Sequence, residues 1–352
     1  MESLRRWTVG AAVAGAALLG GSGRVLAQAG APALLEQHSG TVALLQAVSP
    51  VDERVVWVGG HQGVILRTLD GGGEWARIPT PGGDTLQFRD VHAFGPDVAV
   101  ALSAGPGALS RLYRTTDGGG TWSLAFLMDD ARGFLDCLDF VDDRRGYAYG
   151  DAFDGVPYLL QTADGGQTWA RVPASELPAA GEGEGGFAAS GTCVRAAPDG
   201  GVWVATGAGG HARLLSLAPG SRAWNAREAP VVRGEAAGLT TVSFGPEGQG
   251  IALGGDLGQM EARTANVLVT QDGGRTWAAG MPLRMTGPVY GSAWRPGTPG
   301  VVAVGPAGAD WSPDAGTTWQ ALSDRAFWAV GFAPGGVGWM VGPEGRVVRI
   351  GG

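Results

Sequence analysis

Cysteine, histidine and tyrosine are scarce: two, four and five in 352 residues. The histidines, His38, His61, His92 and His211, stand far apart and show no metal-ligand spacing, so no metal site is expected. No G-x-S-x-G elbow is present. The glycine-rich GEGEGG at 181–186 has no helical pattern after it and is not a dinucleotide-binding loop, so no cofactor is expected. Positive charge is in deficit too. A net charge of −8 argues against nucleic acid and against an anionic membrane surface as partners. The chain also lacks an apolar run long enough to span a bilayer. Val9–Leu19 is too short, and with Arg5 and Arg6 ahead of it and Val25-Leu26-Ala27 behind it reads as a signal peptide. Arg5-Arg6-Trp7 is an incomplete twin-arginine pattern. The expected organisation is therefore a signal peptide at 1–27 and one exported repeat domain at 28–352, periplasmic and monomeric, with no cysteine at the cleavage site to carry a lipid.

What is abundant is turn-forming residues and tryptophan: 64 Gly, 21 Pro and 13 Trp. They follow a repeated phrase, [ST]-x-D-x-G-x-[TE]-W. It occurs as TLDGGGEW at Thr68–Trp75, TTDGGGTW at Thr115–Trp122, TADGGQTW at Thr162–Trp169, TQDGGRTW at Thr270–Trp277 and SPDAGTTW at Ser312–Trp319. Successive aspartates are 47, 47, 108 and 42 residues apart, and a worn copy, SLAPGSRAW at Ser216–Trp224, fills the double step. A strand-patterned period of about 40–55 residues is the signature of a β-propeller with one four-stranded blade per repeat. Each phrase follows an apolar strand. Its Asp can accept backbone N–H bonds, its glycines supply positive φ, and its Trp can pack between adjacent sheets. Five copies of one phrase speak for architecture rather than for five active sites. Asp70, Asp117, Asp164, Asp272 and Asp314, with Trp75, Trp122, Trp169, Trp277 and Trp319, are read as structural.

Blades are expected at 41–79, 86–128, 133–173, 187–229, 237–281 and 288–323, with a seventh from Ala326 that offers only three strands. Residues 33–39 have no blade of their own and are the natural fourth strand of the seventh, closing an all-β, seven-bladed ring. Cys137 and Cys193 fall on inner strands of neighbouring blades. Buried free thiols are the preferred reading there, since parallel positions on separate sheets are often too far apart to bridge.

In such a blade the first-to-second and third-to-fourth turns share one face. The second-to-third loops and inter-blade links share the other. The longest of these, at 103–110, 150–157 and 255–264 and the link 174–186, all lie on the face opposite the repeated phrase, which makes that face the candidate binding rim. It carries Asp151, Asp154, Glu182, Glu184 and Asp256, with Arg89 and Asp90 at the start of one inner strand and Ser190 and Thr192 at the start of another. A carboxylate-lined pocket for a cation, a sugar or a basic peptide stands against the plainer reading, a solvated acidic rim. No catalytic residue is assigned.

The repeated phrase resembles the Asp-box, or BNR repeat. FRDVHAF, the LSAGPG and SRLYRTTDGGGTW stretches, GDAFDGVPYLLQTADGGQTW and GEGEGGFAASGTC look more specifically like bacterial relatives of the photosystem II stability/assembly factor family, over essentially the whole mature chain. That resemblance implies a non-catalytic, exported seven-bladed scaffold that binds a protein partner, such as a membrane-embedded envelope complex, during assembly or stabilisation. It also implies an arginine-rich binding patch, which has no residue-by-residue counterpart here; Arg132, Arg144 and Arg145 form a local basic cluster. Two other function classes use the same rim: a small-ligand or cation-binding propeller, and a glycosidase. Sialidases share the Asp-box, but Tyr113, Tyr147, Tyr149, Tyr158 and Tyr290 lack a persuasive Glu partner. A two-carboxylate glycosidase would use Asp151 and Glu184.

Overall fold

The computed structural model describes residues 30–264 and 266–351. The expected signal peptide lies outside the described residues. Seven four-stranded antiparallel sheets follow one another as blades, and the all-β ring anticipated from the repeat is what forms. Their innermost strands are Leu45–Pro50, Phe88–Ala93, Leu135–Phe140, Val194–Ala196, Ala237–Phe244, Gly291–Trp294 and Ala329–Phe332. Buried aliphatic and aromatic side chains fill the spaces between neighbouring blades, so each sheet is hydrophobic on both faces.

The seam closes as expected. Leu34–Gln37 pairs antiparallel with Val347–Ile350, with Leu34 opposite Ile350 and Gln37 opposite Val347. Side chains reinforce the seam. Trp339 Nε1 donates to Gln37 Oε1 at 3.2 Å, and Gln37 Nε2 donates to the Gly71 carbonyl at 2.8 Å, which ties the last blade to the first. Arg325 pairs with Glu36.

The repeated phrase folds into the same turn each time. In Thr115–Trp122 the Thr115 hydroxyl donates to Asp117 Oδ1 at 2.9 Å and accepts the Gly119 N–H at 2.9 Å, while Asp117 accepts the Thr121 N–H at 2.8 Å and its hydroxyl at 2.7 Å. Those bonds, from the Thr121 backbone first and its hydroxyl second, hold the Asp117 carboxyl down at about 2. The Trp then reaches the preceding blade. Trp122 meets Trp57 edge-on at 6.3 Å, and Trp277 meets Trp203 at 5.9 Å. The worn copy keeps Trp224, buried and edge-on to Tyr147 at 5.5 Å.

One expectation is overturned. Cys137 and Cys193 are not free thiols but a disulfide, with Cα atoms 6.0 Å apart. The strands of a propeller converge toward its axis, so innermost strands of adjacent blades come within bridging distance where outer ones do not. A second departure concerns the fourth blade. Its inner strand is only Val194–Ala196, and Phe187–Thr192, expected to begin that strand, instead leaves the sheet and enters the channel.

Candidate functional site

The Phe187–Thr192 segment is held by blades from across the ring. Gln46 Nε2 of the first blade donates to the Ala188 and Ala189 carbonyls at 3.4 and 3.3 Å, Arg89 of the second donates to the Ala188 carbonyl at 3.5 Å, and the Ser190 hydroxyl donates to the Tyr290 carbonyl of the sixth at 2.6 Å. Gly191 supplies the positive φ of 74° that the crossing needs, and a Cβ there would meet the Asp90 carboxylate at 2.2 Å. The segment divides the channel into two cavities.

The cavity on the face opposite the repeated turns has a volume of about 320 Å³. It is lined by Phe134, Asp136, Asp151, Phe187, Tyr290 and Trp328, together with Gln46, Arg89 and Leu257. A recurring backbone device aims several of these side chains. The register slips by one residue at Gln46, Arg89, Asp136 and Thr240, the same place in four inner strands. Such β-bulges turn a side chain out of the sheet. Asp136 is 1% exposed and its Oδ2 accepts no hydrogen bond. Asp151 Oδ1 accepts the Gly186 N–H at 3.1 Å. Burial first, then the neighbouring Asp151 charge, pushes the Asp136 carboxyl well above the usual range; burial pushes Asp151 up to about 6.

The other expected rim residues divide. Glu184 does not face solvent. It is 1% exposed, pairs with Arg213, and accepts the Thr206 hydroxyl at 2.7 Å and the Gly181 N–H at 2.9 Å. It is a buried counter-charge, so Asp151 and Glu184 are not the two free carboxylates that a glycosidase needs. Asp154 is exposed at φ 56° and bonded to Arg132 Nη1 at 2.8 Å; Asp256 accepts the Gly258 N–H at 2.9 Å; Glu182 is exposed. None of these three lines the cavity. The basic cluster also separates. Arg132 precedes an inner strand on this face, while Arg144 and Arg145 occupy the turn after that strand on the opposite face.

Asp90, Ser190 and Thr192 line the second cavity, about 300 Å³, on the face of the repeated turns. Asp90 is buried and joins two blades, accepting the Val91 N–H at 2.8 Å and the Leu138 N–H at 2.7 Å. Asp139 repeats this one blade on, accepting the Phe140 and Ala196 N–H groups, both at 2.9 Å, with His92 Nδ1 at 3.1 Å and Arg195 at 3.7 Å. The hydroxyls of Ser190, Thr192, Thr241, Ser292 and Ser243 form a continuous chain with steps of 2.6–2.9 Å.

Sequence reasoning missed Asp136, Gln46, Tyr290 and Trp328. A signal for the first two was present: LQA, FRD, LDC and LTT align with a polar residue directly after the same apolar position of each inner strand. The two aromatic residues immediately precede inner strands and carry no comparable mark.

No protein-family model matches the chain. Over 232 residues it is 27% identical to the photosystem II assembly lipoprotein Ycf48 of Synechococcus sp. (strain CC9902), a match covering 63% of this chain and 57% of that protein. The chain thus spans little more than half the length of this curated relative. A solved structure of YCF48 bound to D1 peptide superposes with a TM-score of 0.62 at 20% identity, covering 91% of this chain and 97% of that one. YCF48 from Cyanidioschyzon merolae superposes with a TM-score of 0.64 at 17% identity, covering 91% and 99%. A streptogramin B lyase shares the ring at a TM-score of 0.60 and 10% identity, covering 91% and 97%, which shows how little the architecture alone says about activity. The resemblance to photosystem II stability/assembly factors carried by the chain's own motifs is thus shared by a curated relative and by the fold.

Proposed function

We propose that this chain is an exported, non-catalytic propeller scaffold that binds a protein partner while an envelope complex is assembled or stabilised. The observation that carries the reading is the 27% identity to an assembly lipoprotein. The face opposite the repeated turns is the working face. Its loops differ from blade to blade and its cavity is lined by aromatic and charged side chains, whereas the opposite face repeats one turn. Among the described residues no helix is long and apolar enough to cross a membrane, so engagement of a membrane complex would be through that complex's exposed segments.

Site-specific photocrosslinking in the native envelope tests this. Crosslinkers at Ala108, Asp154 and Gln259 should capture one shared polypeptide, and crosslinkers at Gly73, Gly120 and Arg275, in the repeated turns, should not. Equal capture from both faces, or turnover of a glycan by the purified protein, would sink the proposal.

A further inference from the structure

The cavity above the Phe187–Thr192 segment holds an uncompensated charge. Asp136 and Asp151 face it with Arg89 as the one guanidinium among its lining residues. Arg89 is also committed elsewhere: its Nε and Nη2 both donate to Gln87 Oε1, at 3.0 and 2.5 Å, and its Cζ lies 5.9 Å from the centre of the Phe134 ring. With both ionised, two carboxylates against one cation leave one negative charge, and the buried Asp136 Oδ2 has no hydrogen bond of ordinary geometry, although the Gly186 and Ala188 N–H groups stand near the carboxyl. A buried carboxylate oxygen without a partner is costly, so the site must take up either a proton or a cation. The walls favour an organic cation over a metal ion. Tyr290 and Trp328 stand 5.0 Å apart at 54°, Phe134 and Phe187 complete the lining, and no group of three metal-ligating side chains occurs among the described residues. Aromatic faces attract alkylammonium and guanidinium groups, and carboxylates hydrogen-bond them.

We propose that this cavity binds an organic cation, a primary ammonium or guanidinium group, between Phe134, Tyr290 and Trp328 with Asp136 and Asp151 as its counter-charges. As the side chain of a bound polypeptide, that cation gives the scaffold its specificity for a basic residue; this source rests on the scaffold reading, whereas the pocket chemistry does not. Proton and ligand compete for the same carboxylates, so binding releases a proton. The groups that set the balance are Arg89, Asp136 and Asp151, with the buried Tyr149 phenol beside the pair and His61 beside Arg89. Affinity should rise about tenfold from pH 5 to pH 7 as Asp151, raised to about 6 by burial, loses its proton.

The test titrates the full folded chain by ligand-observed NMR with n-butylammonium, n-butylguanidinium and 1-butanol, and with acetyl-Gly-Lys-Gly-amide against its norleucine analogue. The cations should bind at least tenfold more tightly than butanol. Asp136→Asn should abolish that preference, and Trp328→Leu, at a half-buried wall position, should weaken it several-fold while leaving the fold intact. A lysyl peptide that outbinds butylammonium assigns the cation to a polypeptide. Equal binding assigns it to a small amine, and then the scaffold reading loses this support while the pocket stands. No preference over the neutral probes, or a preference untouched by both substitutions, overturns the pocket.

Discussion

Asp164 lies in a turn and Asp151 near the end of the strand Gly146–Phe153, and their surroundings give the two carboxylates opposite roles. Asp164 accepts the Thr162 hydroxyl at 2.8 Å, the Gln167 and Thr168 N–H groups at 2.9 and 3.0 Å, and the Thr168 hydroxyl at 2.6 Å. Asp164→Ala strips these donors of their partner and should lower the urea-unfolding free energy by roughly 1–3 kcal/mol, with ligand affinity unchanged. Asp151 behaves in the contrary sense. Burial raises its folded carboxyl from 3.8 to about 6. Between those pH values the folded state holds a proton that the unfolded state has released, so this group's contribution to stability falls as pH rises through the window. Asp151→Asn removes that cost. It should stabilise the free protein by roughly 1–3 kcal/mol at pH 7.5 and hardly at all at pH 4, as read from paired denaturation curves. Glu184→Gln should do the reverse and destabilise by roughly 3–5 kcal/mol, because it strands the mostly buried Arg213. Neutralising rim carboxylates as a group would therefore mix opposing effects.

At the scale of strands and turns, periodicity made most of the ring legible. The phrase that carries Asp70, Asp117, Asp164, Asp272 and Asp314 is local: hydroxyl, carboxylate and glycines lie within eight residues, so its geometry is written in its spacing. The orphan strand near residues 33–39 was legible by subtraction, since a three-stranded last blade leaves an unpaired edge. Phe187–Thr192 was not. Its course depends on Gln46, Arg89 and Tyr290, which are about 100 residues or more from it in sequence, and no local pattern encodes such bonds. The same reasoning explains why Glu184 reads as solvated in GEGEGG: Arg213, the group that buries it, is 29 residues away. The strand prediction follows directly. Deleting residues 28–39 bares the edge of Val347–Ile350 and removes the Gln37 bridge between first and last blades. The truncated protein should aggregate or melt well below the full chain, and hydrogen exchange in the intact protein should protect Leu34–Gln37. Rapid exchange there would show that the ring does not close through this strand.

Across the whole molecule, stability is a property of a closed stack in which each blade touches its neighbours, so a ring is as durable as its weakest junction. The junction of third and fourth blades has the least regular sheet behind it. The fourth inner strand is only three residues long because the segment before it is spent on the channel. The Cys137–Cys193 disulfide sits at that junction and spans 56 residues of sequence, while Asp139 and the Ala196 N–H join the same two blades at 2.9 Å. A cross-link of that span restricts the unfolded chain by about 4 kcal/mol on the chain-entropy argument. The double replacement Cys137→Ser and Cys193→Ser should thus lower the melting temperature by several degrees. A reducing agent should lower that of the wild-type protein by a similar amount and leave the double mutant unmoved. Alkylating the denatured, unreduced protein should modify neither cysteine, and two alkylated thiols in material recovered from an oxidising compartment would mean that hydrogen bonds and packing alone hold this junction.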